Sequence, residues 1–137
     1  MRRPSREGLL AVCAAFPKGD QADYGRWIPS RETEKGTLTW PWWMPSDEIL
    51  LWHNTLYAQR VIVQFDWMAS AWAERMRSFE ADPDLLDAQD LDTVLKVLTT
   101  VSRANRFDEG YLGKMLESGL LHAAMRRLET LAEESAS

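Results

Sequence analysis

The residues best suited to chemistry in this chain are two histidines and one cysteine, and none has a partner at catalytic or metal-ligand spacing. His53 follows Ile49 and Trp52 on an apolar helix face, and His122 adjoins a second apolar stripe. His-Glu-x-x-His and paired-cysteine motifs are both absent. Cys13 lies on an apolar face without a histidine or arginine beside it to activate the thiol. We interpret all three as packed or edge residues, and we expect no metal site, no catalytic residue and no cofactor.

A second candidate is the turn from Arg106 to Glu109, where a guanidinium stands beside two carboxylates. Asp108 has the position of a helix N-cap, and Phe107 has that of a hydrophobic staple, which explains the turn structurally. As an alternative, Arg106 and Glu109 line a pocket for a charged ligand. A possible anion-binding face consists of four arginines, for which ion-paired surface is the simpler interpretation: Arg103, Arg106, Arg126 and Arg127.

Tryptophan is the unusual feature of the composition, with seven in 137 residues. Trp40, Trp42 and Trp43 lie close together around Pro41 and Pro45. Proline restricts its own backbone and that of the preceding residue, so this segment predicts an irregular loop that neither continues a strand nor enters a helix. Large aromatic rings concentrate in cores and interfaces. Because three rings in such a loop cannot all face inward, we expect the loop to be a contact surface.

The elements that position these residues are predicted to be helices. Apolar residues recur at helical spacing after Gly8, Ser46, Asp66, Asp90 and Asp108, and again after a break at Ser118-Gly119. Residues 17–45 are punctuated by glycine and proline and are expected to be an irregular loop region, with a short strand at 36–40. We therefore predict a mainly α fold over residues 1–137. It is a compact single-domain bundle of about five to six helices with at most short β segments, frayed at residues 1–7 and 133–137.

Charge and composition exclude several classes of function. The net charge of −5 comes from residues 81–137, because residues 1–80 are balanced. An acidic domain repels the phosphate backbone, so nucleic acid is an unlikely partner. The acidic junction at 80–92 is interpreted as helix caps or, alternatively, as a docking surface that imitates nucleic acid. No apolar run approaches the roughly 18 residues of a membrane helix, and one cysteine forms no intrachain disulfide, so we expect a cytoplasmic protein with no membrane partner.

Several segments resemble a small bacterial family, the domain of unknown function 6508. The resemblance is carried by Gln64-Phe-Asp-Trp67 and by Leu91-Asp-Thr-Val-Leu-Lys-Val-Leu98. It continues through Arg106-Phe-Asp-Glu-Gly-Tyr-Leu, Leu116-Glu-Ser-Gly-Leu-Leu and Met125-Arg-Arg-Leu128, and it is strongest over residues 91–132. The family often has a cysteine where this chain has Asp108, so no thiol role transfers to that turn. The resemblance implies a mainly helical fold and brings no known activity.

These observations favour a non-enzymatic helical module that binds another protein, or a second copy of itself, through the tryptophan loop. The predicted binding residues are Trp40, Trp42, Trp43, Arg106, Glu109 and Arg126. Alanine at position 42 or 43 is expected to weaken association and to leave thermal stability nearly unchanged. One alternative is a small-molecule or nucleotide-processing enzyme with its pocket between the loop and the Arg106–Glu109 turn. A further alternative is an acidic inhibitor or nucleic-acid mimic.

Overall fold

The fold is mainly α, as predicted. The computed structural model describes residues 4–19, 22–38, 41–106 and 110–134. Within those ranges the chain forms six α-helices, one 3₁₀ helix and a two-stranded ribbon. In chain order the elements are α1 Arg6–Ala15, β1 Gly25–Ile28, β2 Trp42–Pro45, α2 Asp47–Ala58, α3 Ser70–Ala81, the 3₁₀ helix Pro83–Ala88, α4 Leu91–Ala104, α5 Tyr111–Glu117 and α6 Leu120–Glu134.

Helix boundaries follow the predicted caps at most positions. Ser46 and Asp90 accept backbone N–H groups from the first turns of α2 and α4, as expected of N-caps. The prediction for Asp66 is wrong, because α3 begins only at Ser70. The Asp66 carboxylate instead accepts the backbone N–H of Met68 at 3.3 Å and closes a local turn that competes with helix formation. Residues 6–7 and 133–134, assigned above to frayed termini, are helical.

The tryptophan segment forms a strand, contrary to the irregular loop expected there. β1 and β2 pair antiparallel, with Gly25 opposite Pro45 and Ile28 opposite Trp42. Pro41 precedes the first residue of β2 and Pro45 is its last, and strand ends tolerate proline because no interior ladder hydrogen bond is lost there. The strand predicted at 36–40 is also wrong in its described part, where only an isolated bridge to Leu38 occurs.

The core is organised around α4 and α6. All residues of α4 from position 93 to 102 are buried except Lys96, which is half-buried. α6 packs against α1, α4, α5 and the 3₁₀ helix. The break at Ser118-Gly119 separates α5 from α6 as predicted, and Gly119 adopts a positive φ of 88°. Among the described residues, each helix is too short or too polar to span a membrane.

Three hydroxyl groups on α4 satisfy polar groups of the surrounding segments. Thr99 Oγ1 accepts the backbone N–H of Val63 at 2.9 Å. Thr100 Oγ1 accepts the indole N–H of Trp72 at 2.7 Å and donates to a carbonyl of its own helix. Ser102 Oγ lies within hydrogen-bond distance of His53 Nε2 and of the Tyr57 hydroxyl, both on α2. Buried donors without partners are costly. These hydroxyls therefore determine where the neighbouring helices and the α2–α3 connection pack on α4.

Replacing Thr100 by valine is expected to lower the free energy of unfolding by about 1–3 kcal/mol. The shape of the side chain is kept, but the buried indole N–H of Trp72 loses its acceptor. Urea denaturation of the wild type, Thr100→Val and Thr100→Ser measures the effect. The serine variant retains the hydroxyl and is expected to keep most of the stability. Equal stability of the valine variant and the wild type would contradict a role for this hydrogen bond.

Candidate functional site

The two-stranded ribbon is held on α5 by the indole of Trp43. This side chain is 7% exposed. A Cβ placed on Gly113 of α5 would lie 2.5, 2.7 and 2.8 Å from three of its ring atoms, Cδ2, Cε3 and Cγ. Nearly equal distances to three ring atoms place the face of the indole directly over the glycine backbone. The chain at Gly113 therefore has room for hydrogen only.

A second glycine borders the same ring from the ribbon itself. Gly25 has a φ of 132°, a conformation that L side chains rarely adopt. Its Cβ would lie 2.7 Å from Cζ2 of Trp43 and against the backbone of β2. The indole thus occupies a slot between one glycine of β1 and one glycine of α5. Small residues on both sides explain how a large ring enters a junction of backbone segments.

Trp27 adds a second contact between the ribbon and α5. It lies opposite Trp43 in the strand register, with ring centroids 5.5 Å apart at 70°. Its indole N–H donates to the carboxylate of Glu117, the last residue of α5. Trp27 nevertheless remains 37% exposed. Trp27 is not among the residues predicted above, because its contacts with Trp43 and Glu117 join positions far apart in the chain.

The opposite face of the ribbon carries Trp42. Side chains alternate along a strand, so Trp42 and its register partner Ile28 point away from the face that holds Trp43. Trp42 is 37% exposed, and Leu38 in the connecting loop is 70% exposed. Two further exposed leucines lie on α2, which begins directly after β2: Leu50 at 46% and Leu51 at 62%. We call Trp42, Leu38, Leu50 and Leu51 the exposed apolar set.

Of the residues predicted for the site, the structure describes Trp42, Trp43, Arg106 and Arg126. Trp42 is partly exposed and Trp43 is buried, so the two rings have different roles. Trp40 and Glu109 lie outside the described residues. The ring of Trp43 closes the junction between the ribbon and α5, and this burial argues against the expectation that Trp43 contributes little to stability.

Arg126 is engaged in ion pairs with the acidic junction. Its guanidinium donates to both carboxylate oxygens of Asp87 at 3.0 Å and lies 3.4 Å from Asp84. The hydrogen bond to Asp87 raises the pKa of Arg126 above its usual range. Arg127 donates to the backbone carbonyl of Gln89 at 2.8 Å, just before α4 begins. These contacts join α6 to the 3₁₀ helix and its exit.

The four arginines considered above as one anion-binding face lie in two places. Arg127 contacts the chain at the start of α4, whereas Arg103 lies in its last turn and Arg106 just beyond its end. At 1.5 Å per residue, the two ends of this helix are about 20 Å apart. Arg106 and Arg126 therefore do not act on the same small ligand.

A pocket of about 360 Å³ lies beside Arg106. Trp42 and Trp43 are not among its lining residues. The lining residues come from the α2–α3 connection and the end of α4: Gln64, Phe65, Trp67, Met68, Arg103 and Arg106. Trp67 lies in this connection and not in α3, because the helix begins only at Ser70.

Another pocket, of about 470 Å³, lies between the end of α1 and α6. His122 lies edge-on to Phe16 and Tyr24, at centroid distances of 5.4 and 5.0 Å, and burial lowers its pKa. Burial and then the charge of Glu129 raise the pKa of the Cys13 thiol to about 11. The thiol is therefore protonated at neutral pH, which supports the interpretation of Cys13 as a packed residue.

His53 lies at the edge of the core, and its ring has a hydrogen-bond partner. Its Nε2 lies 2.7 Å from Ser102 Oγ, which is also 3.1 Å from the hydroxyl of Tyr57. Burial, and then the positive charge of Arg106, lower the pKa of His53. Ser102 is only 3% exposed, so this serine–histidine pair is closed to a substrate and joins α2 to α4. In the described part of the chain, no group of three or more potential ligands is arranged to hold a metal ion.

The two histidines predict a loss of stability in mild acid. Both have a pKa below the usual 6.5 in the fold, so the unfolded chain takes up protons first as pH falls. The free energy of unfolding is therefore expected to decrease from pH 7.5 towards pH 5.5. Denaturant titrations at fixed pH measure the slope, which should be smaller in a His53→Gln/His122→Gln variant. A stability that rises over this range would mean that the folded state binds the histidine protons more tightly.

Comparison with known proteins gives a family and nothing more specific. Searches of the curated proteins and of the solved structures each found no significant match. The sequence model described as "Family of unknown function (DUF6508)" matches residues 3–134. That range includes every described element and both segments that line the pocket at Arg106. The chain therefore belongs to the DUF6508 family of unknown function.

Proposed function

We propose that this protein is a non-enzymatic binding module that recognises another protein through the exposed apolar set. The observation that carries the proposal is that two adjacent tryptophans lie on opposite faces of β2 and differ in exposure. Trp43 is 7% exposed and holds the ribbon on α5, whereas Trp42 is 37% exposed on the other face. Partly exposed aromatic side chains on a fixed scaffold are typical of interface hot spots.

The rigidity of the ribbon supports this proposal. An isolated two-stranded hairpin is marginally stable in water. Here Trp43 packs against Gly113, and Trp27 donates to Glu117, so two contacts with α5 hold the strands. Ser46 then joins the ribbon to α2 by donating from its hydroxyl to the backbone carbonyl of Asp23 at 2.6 Å. A preformed surface loses little conformational entropy on binding, and this raises its affinity.

The chemistry of the surface favours an apolar partner over a charged one. Leu38, Leu50 and Leu51 are all more exposed than Trp42, and none carries a polar group that a partner would have to desolvate. The acidic alternative is less favoured, because Asp84 and Asp87 are already paired with Arg126. The partner we propose is therefore a protein that presents an apolar surface, with a second copy of this chain as the competing outcome.

The proposal is tested by comparing affinity-tagged wild type and Trp42→Ala as baits in cells of the source organism. A partner that binds through Trp42 is expected to be retained by the wild type and lost from the variant. Its purified form should then bind the wild type directly and bind the variant about tenfold or more weakly, as for a hot-spot residue.

Arg77→Gln serves as a matched control, because Arg77 is an exposed residue of α3, away from the exposed apolar set. This variant should retain the same partner as the wild type. Sedimentation velocity of the purified chain tests the competing outcome, in which the chain binds a second copy of itself. If the wild type forms concentration-dependent dimers and Trp42→Ala does not, the surface binds a second copy of the chain. That result would contradict the proposal as stated.

A further inference from the structure

Two arginines at the end of α4 lack a side-chain counter-ion in the described part of the chain. Arg103 lies in the last turn of α4, and Arg106 lies just after the C-cap residue Asn105. Arg126, by contrast, binds two carboxylates. A positive charge in a last helical turn complements the helix dipole, which accounts for Arg103. Arg106 directly follows the C-cap, and its side chain lines the same pocket as that of Arg103.

Two aromatic side chains line the same pocket as these arginines. Phe65 and Trp67 line the pocket from the connection between α2 and α3, with Gln64 and Met68 beside them. Met68 is 74% exposed and lies at the solvent side. Two planar rings, one amide and two guanidinium groups therefore line an open depression of about 360 Å³. This size is within the range of small-molecule sites, roughly 300–1,000 Å³.

The aromatic wall is fixed by its own contacts. Phe65 packs edge-on against Trp72, with ring centroids 5.4 Å apart at 90°. The backbone N–H of Val63 donates to Thr99 of α4 at 2.9 Å, which ties the connection to the core. The turn that follows is closed by the Asp66 carboxylate. Such contacts keep the pocket formed without a ligand, so binding does not require a loop to be ordered.

We propose that this pocket binds a small anion that carries a planar ring, with the ring against Phe65 or Trp67 and a phosphate or carboxylate at Arg103 and Arg106. Guanidinium groups present planar pairs of N–H donors that match both kinds of oxyanion. Aromatic side chains stack on any planar ring with little sequence or chemical selectivity. The ligand class is thus an aromatic anion such as a nucleoside monophosphate or an aryl carboxylate, and this site is independent of the exposed apolar set.

The test uses the purified full chain and four probes, measured by isothermal titration calorimetry at low salt. AMP carries a ring and a phosphate, indole-3-acetate carries a ring and a carboxylate, and adenosine and inorganic phosphate each carry one part. At least one of the two complete probes is expected to bind about tenfold or more tightly than either partial probe, because the ring and the anion contribute together. Adenosine or phosphate binding as tightly as both complete probes would overturn the proposal, as would no binding by any probe.

Substitutions locate the site. Arg103→Gln and Arg106→Gln are each expected to weaken the complete probe about tenfold, as for loss of one charge-assisted contact. Arg77→Gln, an exposed change on α3, should leave the affinity unchanged. Equal affinities in the wild type and both pocket variants would overturn the assignment.

A spectroscopic measurement distinguishes this pocket from the one between α1 and α6. The charge of Arg106 contributes to lowering the pKa of His53, so an anion bound at Arg106 should raise that pKa in NMR titrations. His122 lines the other pocket and should not respond. A shift at His122 with none at His53 would place the probe in the wrong pocket and would contradict the proposal.

Discussion

Replacing Trp43 by alanine is expected to lower the free energy of unfolding by about 3–5 kcal/mol, the usual range for removing a large buried aromatic side chain. The ring is 7% exposed and fills the space between Gly25 and Gly113. No nearby side chain can fill the vacated slot from the glycine positions, because both carry only hydrogen. The ribbon is therefore expected to detach from α5 along with the loss of stability.

Urea denaturation of Trp43→Ala and Trp42→Ala provides the measurement and its control. The two residues are adjacent, chemically identical and on opposite faces of β2. Trp42→Ala is expected to lose clearly less stability than Trp43→Ala, because the Trp42 ring is 37% exposed whereas that of Trp43 is 7% exposed. A similar loss in both variants would mean that both rings are part of the core, and Trp42 would then have no role in recognition.

Replacing Gly113 by alanine is expected to destabilise the protein by about 1–3 kcal/mol, the cost of overpacking. Helix propensity alone predicts the opposite, a gain of roughly 1 kcal/mol for alanine over glycine inside a helix. The sign is decided by the Trp43 ring, since a Cβ at position 113 would lie 2.5 Å from Cδ2. Neither the ring nor the α5 backbone is the flexible end of a side chain, so neither can move away at low cost.

The same substitution in the Trp43→Ala background isolates the contact. With the ring removed, Gly113→Ala is expected to be neutral or stabilising, because helix propensity then decides. The four-member thermodynamic cycle, measured by thermal and urea unfolding, gives the coupling between the two positions. Additive effects of the two substitutions would show that Trp43 does not lie over Gly113.

Much of the helical fold is predictable from local sequence because its determinants are local. The apolar stripe from Val94 to Val101 recurs at helical spacing and becomes the buried face of α4. The caps at Ser46 and Asp90 and the break at Ser118-Gly119 lie as expected. At Asp66 two local signals compete, since the carboxylate can either cap a helix or close a turn. In the structure it closes a turn.

The ribbon and both pockets were not predictable in the same way because their contacts are distant in the chain. The strand at Trp42 depends on its pairing with β1, and neither segment alternates clearly enough to predict a strand alone. Proline at both ends of the segment also argues against a strand in sequence-based prediction, although strand ends accept proline. One local signal was available at Gly113, a glycine within a short helix that alanine would stabilise. It indicates a close approach by another segment without identifying Trp43 as that neighbour.

The central claim is that Trp43 holds the ribbon while Trp42 recognises a protein partner, and one comparison tests it most directly. Wild type and Trp42→Ala are used as baits, and their folded stability is measured on the same preparations. The account predicts that a partner retained by the wild type is lost from Trp42→Ala while both baits remain folded and unfold cooperatively. Retention of the same proteins by both folded baits would contradict the claim.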